Sequence, residues 1–205
     1  MESRNMKYYH ISQKPYCCVP ACVQMILNRR KLPLIDQAEI AYDLGVVLPP
    51  EDRHSLPRSH KGRRPKAGWG TRINLKKYCL AVFFKRRGYF LKETFYSAKK
   101  FRTEKQFKEF LSDNVSKGND LLVCFNYPFL HRLKGKWGHA SLIEKLEKEY
   151  AILCDPQQKY KKTRKVLMND LLLALKNHNH GGIWVIKEKP AAAKIKKDSQ
   201  IIKSK

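Results

Sequence analysis

The sequence predicts an α+β fold in which helices come first and an antiparallel sheet follows. Pro20 opens a run with helical spacing, and Asp36 can cap a second helix that Gly45 closes. Later in the chain, short apolar runs separated by turn residues are typical of strands. These runs lie at 120–125, 140–143, 150–154 and 181–187.

The first helix is predicted over about 18–30. Pro20 suits its first turn, because the missing N–H would have no intrahelical partner there. Cys18 therefore lies at or just before the helix start, where backbone N–H groups and the helix dipole favour an anion. A thiolate is the nucleophilic form of cysteine, so this position suits a reactive thiol.

A histidine and an aspartate flank the predicted strand pair. His139 precedes the apolar run 140–143, Asp155 follows the run 150–154, and a charged turn over 144–149 joins the two. A hairpin would bring His139 and Asp155 side by side. A histidine that accepts and returns a proton needs such a partner to orient its ring. His131 is the best substitute for His139.

A glutamine precedes the cysteine by a short interval. The side-chain amide of Gln13 can donate to the oxygen that becomes negative in a tetrahedral intermediate, and the backbone N–H of Cys18 would be the second donor. Cys17 is too close to Gln13 for the same arrangement.

With these residues the chain resembles papain-like cysteine peptidases, most closely the bacterial double-glycine-leader (bacteriocin-processing) peptidases and their stand-alone relatives. The resemblance spans roughly residues 8–188. It rests on Gln13, on Cys18-Val-Pro-Ala21 followed by Met25-Ile-Leu27, on Gly138-His139 and on Asp155-Pro156. The chain departs from the family in having Val19 where glycine usually follows the nucleophile.

The resemblance implies a papain-like fold in which a helical half carrying Cys18 packs against an antiparallel sheet carrying His139 and Asp155. It further implies that Cys18 is the nucleophile, His139 the general base and acid, Asp155 the residue that orients His139, and Gln13 part of the oxyanion hole. The expected activity is hydrolysis of a peptide bond in a peptide or protein substrate through a thioester, without a cofactor or metal.

Two other functions stay open from the sequence. An amidase, deamidase or acyltransferase could use the same catalytic group with a different acceptor. Alternatively, the chain is a basic module that binds nucleic acid or anionic membranes and retains a vestigial cysteine site. Zinc binding by the Cys and His residues is a weaker hypothesis, since no Cys-x-x-Cys pair is present. The other cysteines in apolar runs are interpreted as core: Cys22, Cys79, Cys124 and Cys154.

The net charge of +25 comes from 43 basic and 18 acidic side chains. Basic runs occur at 53–66, 85–87 and 159–165. A field of this sign attracts nucleic acid, acidic protein segments or anionic membranes, so an anionic partner is expected through the basic loops and the tail. A merely solvated surface is the alternative interpretation.

The 205 residues are divided into one domain, 1–188, and a basic tail, 189–205, that is expected to be disordered. No signal peptide or membrane span is recognisable, and the cysteines lack a disulfide framework. The expected location is the cytoplasm, or outside the cell by export without a cleaved signal. A long loop, 48–70, precedes a helix predicted over 73–86, and Trp69 in that loop is interpreted as an anchor rather than a substrate wall.

Overall fold

The computed structural model describes residues 7–64, 68–157 and 163–189. Its α-helices are α1 Cys18–Arg29, α2 Gln37–Asp43, α3 Leu80–Arg86, α4 Glu104–Ser116, α5 Tyr127–Leu130 and α6 Met168–Lys176. Its strands are β1 Leu91–Ser97, β2 Asp120–Asn126, β3 Gly138–Glu147, β4 Tyr150–Cys154, β5 Thr163–Leu167 and β6 Gly182–Glu188. Short 3₁₀ helices occupy Pro50–Ser55, Lys76–Tyr78 and Ala98–Lys100.

The six strands form one sheet in the order β1-β6-β2-β3-β4-β5. Each neighbouring pair is antiparallel. Successive residues of β2, Leu121, Leu122 and Val123, are all buried, so both faces of the central sheet are covered. The predicted α+β class is confirmed.

The helices cover the sheet through apolar faces. α1 packs against β3, α6 against β2, and α3 against β1. Met25, Ile26 and Leu27 of α1 are completely buried, since the helix lies between the sheet and α2. The nucleophile candidate Cys18 is therefore the first residue of a helix that the core holds rigidly in place.

Two predicted elements are corrected. The helix expected over 73–86 is shorter: Cys79 has extended dihedrals that separate the 3₁₀ turn Lys76–Tyr78 from α3. The carboxylate of Glu93 accepts a hydrogen bond from the N–H of Ala81 and so helps to satisfy the start of α3. The charged turn expected over 144–149 is shorter too, because β3 continues to Glu147 past a β-bulge between Ile143 and Lys145.

One strand, β5, begins within the run 159–165, which is interpreted from the sequence only as a basic surface. β5 pairs with β4 at the edge of the sheet, and its residues are mostly exposed. Basic side chains on an edge strand, here Arg164 and Lys165, discourage pairing with other chains. The part of the predicted tail that follows Lys189 lies outside the residues that the structure describes. Within the described ranges, no helix is both long and apolar enough to cross a bilayer.

Candidate active site

The β3–β4 hairpin carries the histidine and the aspartate. Leu142 pairs with Cys154, so the start of β3 lies beside the end of β4. His139 Nε2 is 2.7 Å from Asp155 Oδ1, and Asp155 is fully buried. The same carboxylate oxygen accepts a hydrogen bond from the N–H of Gln157 at 3.0 Å. The hairpin predicted from the sequence therefore joins these two side chains directly.

The two groups stabilise each other's charged forms. Burial opposes a charge on the His139 ring, but the hydrogen bond to Asp155 and the interaction with Cys18 outweigh it and raise the pKa of His139 to about 9. Burial also opposes a charge on Asp155, but the hydrogen bond and charge of His139 hold the pKa of this carboxyl below its ordinary value. An imidazolium paired with a carboxylate is the favoured state near neutral pH.

Cys18 faces the same histidine. It is half-buried, and it lines a cavity of about 60 Å³ together with His139. The Cys18 side chain interacts with the His139 ring closely enough to contribute to the raised pKa of His139. Because Nε2 faces Asp155, Nδ1 is the nitrogen left for Cys18. The neighbouring Cys17 is fully buried instead, and burial raises its pKa to about 12.

The start of α1 is arranged to accept a negative charge. Cys17 is the N-cap residue and makes no side-chain hydrogen bond to the first turn. The N–H groups of that turn are therefore not blocked by a capping side chain. The turn that leads into the helix is held by a hydrogen bond from the N–H of Cys17 to the carbonyl of Lys14, and by one from the Tyr16 hydroxyl to the Asp52 carboxylate.

The end of the long loop forms one wall of the cavity. Gly68, Trp69 and Gly70 all line it beside Cys18. Gly70 forms two backbone hydrogen bonds with Val47 at 2.9 Å, and its φ of +127° is a conformation that glycine tolerates best. Trp69, which the sequence favours as an anchor of the loop, is half-buried and also lines the cavity.

The glycine before His139 has a steric role. A Cβ atom at Gly138 would overlap the His178 ring, which approaches from the segment after α6. Gly138 and His178 both line the cavity. The Gly138-His139 pair therefore lets a second element of the chain approach the start of β3 closely.

Gln13 lies near the aspartate end of the site. Its N–H donates to the carbonyl of Pro156 at 3.0 Å. The buried Gln37 side chain binds the backbone of both neighbours, accepting from the N–H of Lys14 and donating to the carbonyl of Ser12, each at 2.8 Å. Gln13 Oε1 is buried and has no hydrogen-bond partner among the described residues. Gln13 does not line the cavity that Cys18 and His139 share.

Arg164 lies beside the aspartate, and this contact is not predicted from the sequence. Arg164 Nε of β5 lies 3.6 Å from Asp155 Oδ2, the carboxylate oxygen that His139 does not use. The Arg164 guanidinium also contacts His131 and lies over the Tyr127 ring, 5.7 Å from its centroid. Tyr127 in turn packs edge-on against His139 at 5.2 Å. The basic run containing Arg164 gave no sign of a role at the site.

His131, the substitute considered for His139, belongs to this supporting group. Burial and the charge of Arg164 lower its pKa to about 4, so its ring is neutral at physiological pH. It lies beside Tyr127, with ring centroids 4.2 Å apart. His131 does not line the cavity with Cys18.

All six cysteines are free thiols. In the part of the chain that the structure describes, no group of three or more His, Cys, Asp or Glu side chains is arranged to hold a metal ion.

Comparison with known proteins rests on structure, since neither protein-family models nor curated protein sequences match this chain. A C39-peptidase-like protein from Bacillus anthracis superposes with a TM-score of 0.60 and 13% identity, covering 90% of this chain and 96% of the other. A double-glycine-motif protease from an AMS/PCAT transporter, solved in complex with the leader peptide, gives a TM-score of 0.51 and 15% identity, covering 90% and 94%. The chain therefore has the papain-like fold of C39-type cysteine peptidases, as its motifs predicted.

Proposed function

We propose that this chain is a cysteine peptidase that hydrolyses a peptide bond through a thioester on Cys18. One observation carries the proposal: the buried His139 ring is hydrogen-bonded to the Asp155 carboxylate and lines an open cavity together with Cys18, whose side chain interacts with the ring. A nucleophile beside a base that an orienting group holds in place is the arrangement that activated nucleophiles require.

In the proposed reaction the Cys18 sulfur attacks the peptide carbonyl carbon. His139 gives its proton to the departing amine as the C–N bond breaks, which leaves a thioester and a neutral imidazole. Water then attacks the thioester while His139 accepts a proton from it. The C–S bond breaks, the carboxylic acid leaves, and the thiolate–imidazolium pair is restored. Asp155 holds the ring in position and stabilises its protonated form throughout.

The oxyanion would be stabilised at the start of α1. The N–H of Cys18 is one proposed donor, and the Gln13 side-chain amide is the second. This role requires the Gln13 amide to turn toward the cavity. The backbone of Gln13 is already fixed through Pro156 and Gln37, so the movement would involve the side chain alone.

Arg164 has a positioning role in this proposal. It approaches the Asp155 oxygen that has no hydrogen bond in the described residues, and its positive charge contributes to lowering the pKa of Asp155. Contact with His131 and Tyr127 fixes the guanidinium. Arg164 thus approaches one carboxylate oxygen of Asp155 while the other oxygen is hydrogen-bonded to His139.

The shape of the cavity favours a small residue next to the scissile bond. The volume of about 60 Å³ beside Cys18 is narrowed by Trp69 and by Val19. The structure of the double-glycine-motif protease contains a leader peptide. We propose a peptide or protein substrate for this chain as well.

Amidase, deamidase and acyltransferase activities remain the second proposal, because the same thioester could be passed to another acceptor. A purely anion-binding module is the third. A module that only binds anions does not need a buried, hydrogen-bonded pair of His139 and Asp155 beside a thiol. Removing charged groups from water is costly, and anion binding elsewhere on the surface would not explain that cost.

Digestion of a proteome-derived peptide library by the full chain tests these functions directly. We expect new peptide ends with a small residue before the cut, detected by mass spectrometry. Ammonia release without new ends would indicate an amidase or deamidase, and masses raised by addition to amines would indicate an acyltransferase. Unchanged peptide masses throughout would contradict all of the thioester proposals.

The pH dependence of peptide cleavage should follow the proton on His139. Since the pKa of His139 is raised to about 9, the ring is protonated below this pH and loses its proton above it. We expect kcat/KM to decline above about pH 9. In Asp155→Asn the amide lacks the negative charge that favours the imidazolium, so the decline should begin at lower pH.

The control for this pH profile is Asp113→Asn, which changes an exposed carboxylate on α4. Its profile should match that of the wild type. An alkaline limb at the wild-type position in Asp155→Asn would show that Asp155 does not set the acidity of His139.

A further inference from the structure

A second cavity adjoins the one that contains Cys18. It is larger, about 590 Å³, which is within the size range of sites that bind ligands. The two cavities share Ile73, Asn74, His178, His180 and Trp184 as lining residues. The two cavities are therefore adjacent. Together they are called the groove, and the thiol lies in its smaller part.

The interior of the second cavity is partly apolar. Phe95 and Trp184 pack against each other with ring centroids 4.5 Å apart, and both line it. Phe95 is 45% exposed, although it is a large aromatic side chain on a sheet. An exposed aromatic surface inside a concave groove is typical of a binding site.

The rim of the second cavity is basic. Lys76 and Lys99 lie on separate 3₁₀ helices, and Lys176 lies at the end of α6. Among the described residues, no acidic side chain forms an ion pair with any of these three lysines. Lys176 also suits the negative end of the α6 dipole, whereas Lys76 and Lys99 lie on single-turn helices with little dipole.

Among the residues that the structure describes, Glu93 is the one acidic residue that lines this cavity. One of its carboxylate oxygens accepts a hydrogen bond from the N–H of Ala81, at the start of α3. Its other carboxylate oxygen is buried and has no hydrogen-bond partner among the described residues. One carboxylate cannot balance three lysines. The groove presents an apolar floor with an excess of positive charge around it.

We propose that this basic groove binds the substrate segment next to the scissile bond, and that the segment carries acidic side chains beside an apolar one. This inference rests on the proposed peptidase function and adds the substrate class. A polypeptide with its carbonyl at Cys18 must continue along the surface, and the groove is joined to that position by shared walls. The lysines on its rim lie where carboxylates of such a segment would meet them.

Binding can be measured without turnover in the full-length Cys18→Ala variant. The probe is a fluorescein-labelled peptide with a central glycine, a leucine and several glutamates, compared by anisotropy with the same peptide in which glutamines replace the glutamates. We expect the acidic peptide to bind more tightly and the difference to shrink at high salt. In the Cys18→Ala background, Lys76→Ala/Lys99→Ala should weaken binding of the acidic peptide roughly fivefold.

The matched control is Lys85→Ala/Lys105→Ala, which removes the same charge from exposed positions on α3 and α4 that do not line the second cavity. Equal affinity of the two double variants for the acidic peptide would overturn the proposal, because the overall charge of +25 would then explain the binding. A single-stranded oligonucleotide of equal charge that binds more tightly, with the same dependence on Lys76 and Lys99, would also overturn it.

Catalysis provides a separate readout. With an acidic peptide substrate, Lys76→Ala/Lys99→Ala should raise KM and leave kcat near its wild-type value, since the lost contacts are made before the chemical step. A chain that binds the acidic peptide through Lys76 and Lys99 but cleaves nothing would contradict the peptidase function and not the groove. Cleavage with no preference for acidic residues would contradict the groove and not the function.

Discussion

Cys18→Ala is expected to lower kcat/KM for peptide cleavage by at least about 10³-fold. The substitution removes the proposed nucleophile while the His139–Asp155 pair and the cavity walls stay in place. His139→Ala should have an effect of similar size, and the double variant should be no worse than either single one, because residues that act as one unit are not additive. Steady-state hydrolysis of a peptide found in the library digestion measures all three.

Cys17→Ala is the matched control, since it removes the adjacent thiol. Cys17 is packed against Ala41, Val46, Leu48 and Leu56. Its substitution should cost some stability through a small cavity but leave kcat/KM within a few-fold of the wild-type value. Loss of activity in Cys17→Ala with retention in Cys18→Ala would reverse the proposed identity of the nucleophile.

The sequence predicts those parts of the site that depend on local structure. Pro20 marks the start of α1, and the structure begins this helix at Cys18. The apolar runs flanked by His139 and Asp155 predict a hairpin, and pairing across a hairpin brings its ends together. Neither inference needs knowledge of contacts between distant parts of the chain. The arrangement of the helices around the sheet is predicted by the resemblance to double-glycine-leader peptidases.

The parts that the sequence does not predict depend on packing between distant segments. Arg164 lies in a lysine-rich run whose composition is typical of solvated surface, and only the pairing of β5 with β4 brings it to Asp155. The placement of Gln13 is a similar case, because the backbone around it is held by contacts with Gln37 and Pro156 that no local pattern encodes. The second cavity likewise collects side chains from three separate parts of the chain.

A buried ionic network ties the helix that carries Cys18 to the sheet that carries His139. Asp120, the first residue of β2, is fully buried and lies 2.6 Å from Arg29 Nη2 and 2.5 Å from Arg30 Nε. The Tyr8 hydroxyl donates to the same carboxylate at 2.8 Å. Arg29 is the last residue of α1 and Arg30 is its C-cap, so the network fixes the end of this helix that is remote from Cys18.

Asp120→Ala is therefore expected to lower the free energy of unfolding by about 3–5 kcal/mol, because it leaves Arg29 without a carboxylate partner and Arg30 with the exposed Glu188 alone, and both arginines are largely buried. The control Asp113→Ala breaks an exposed ion pair with Lys117 of similar length, 2.7 Å, and should cost no more than about 0.5 kcal/mol. Urea denaturation followed by circular dichroism measures both values. If the two variants lose equal stability, apolar contacts of α1 alone hold Cys18 opposite His139, and the network contributes nothing to the geometry of the site.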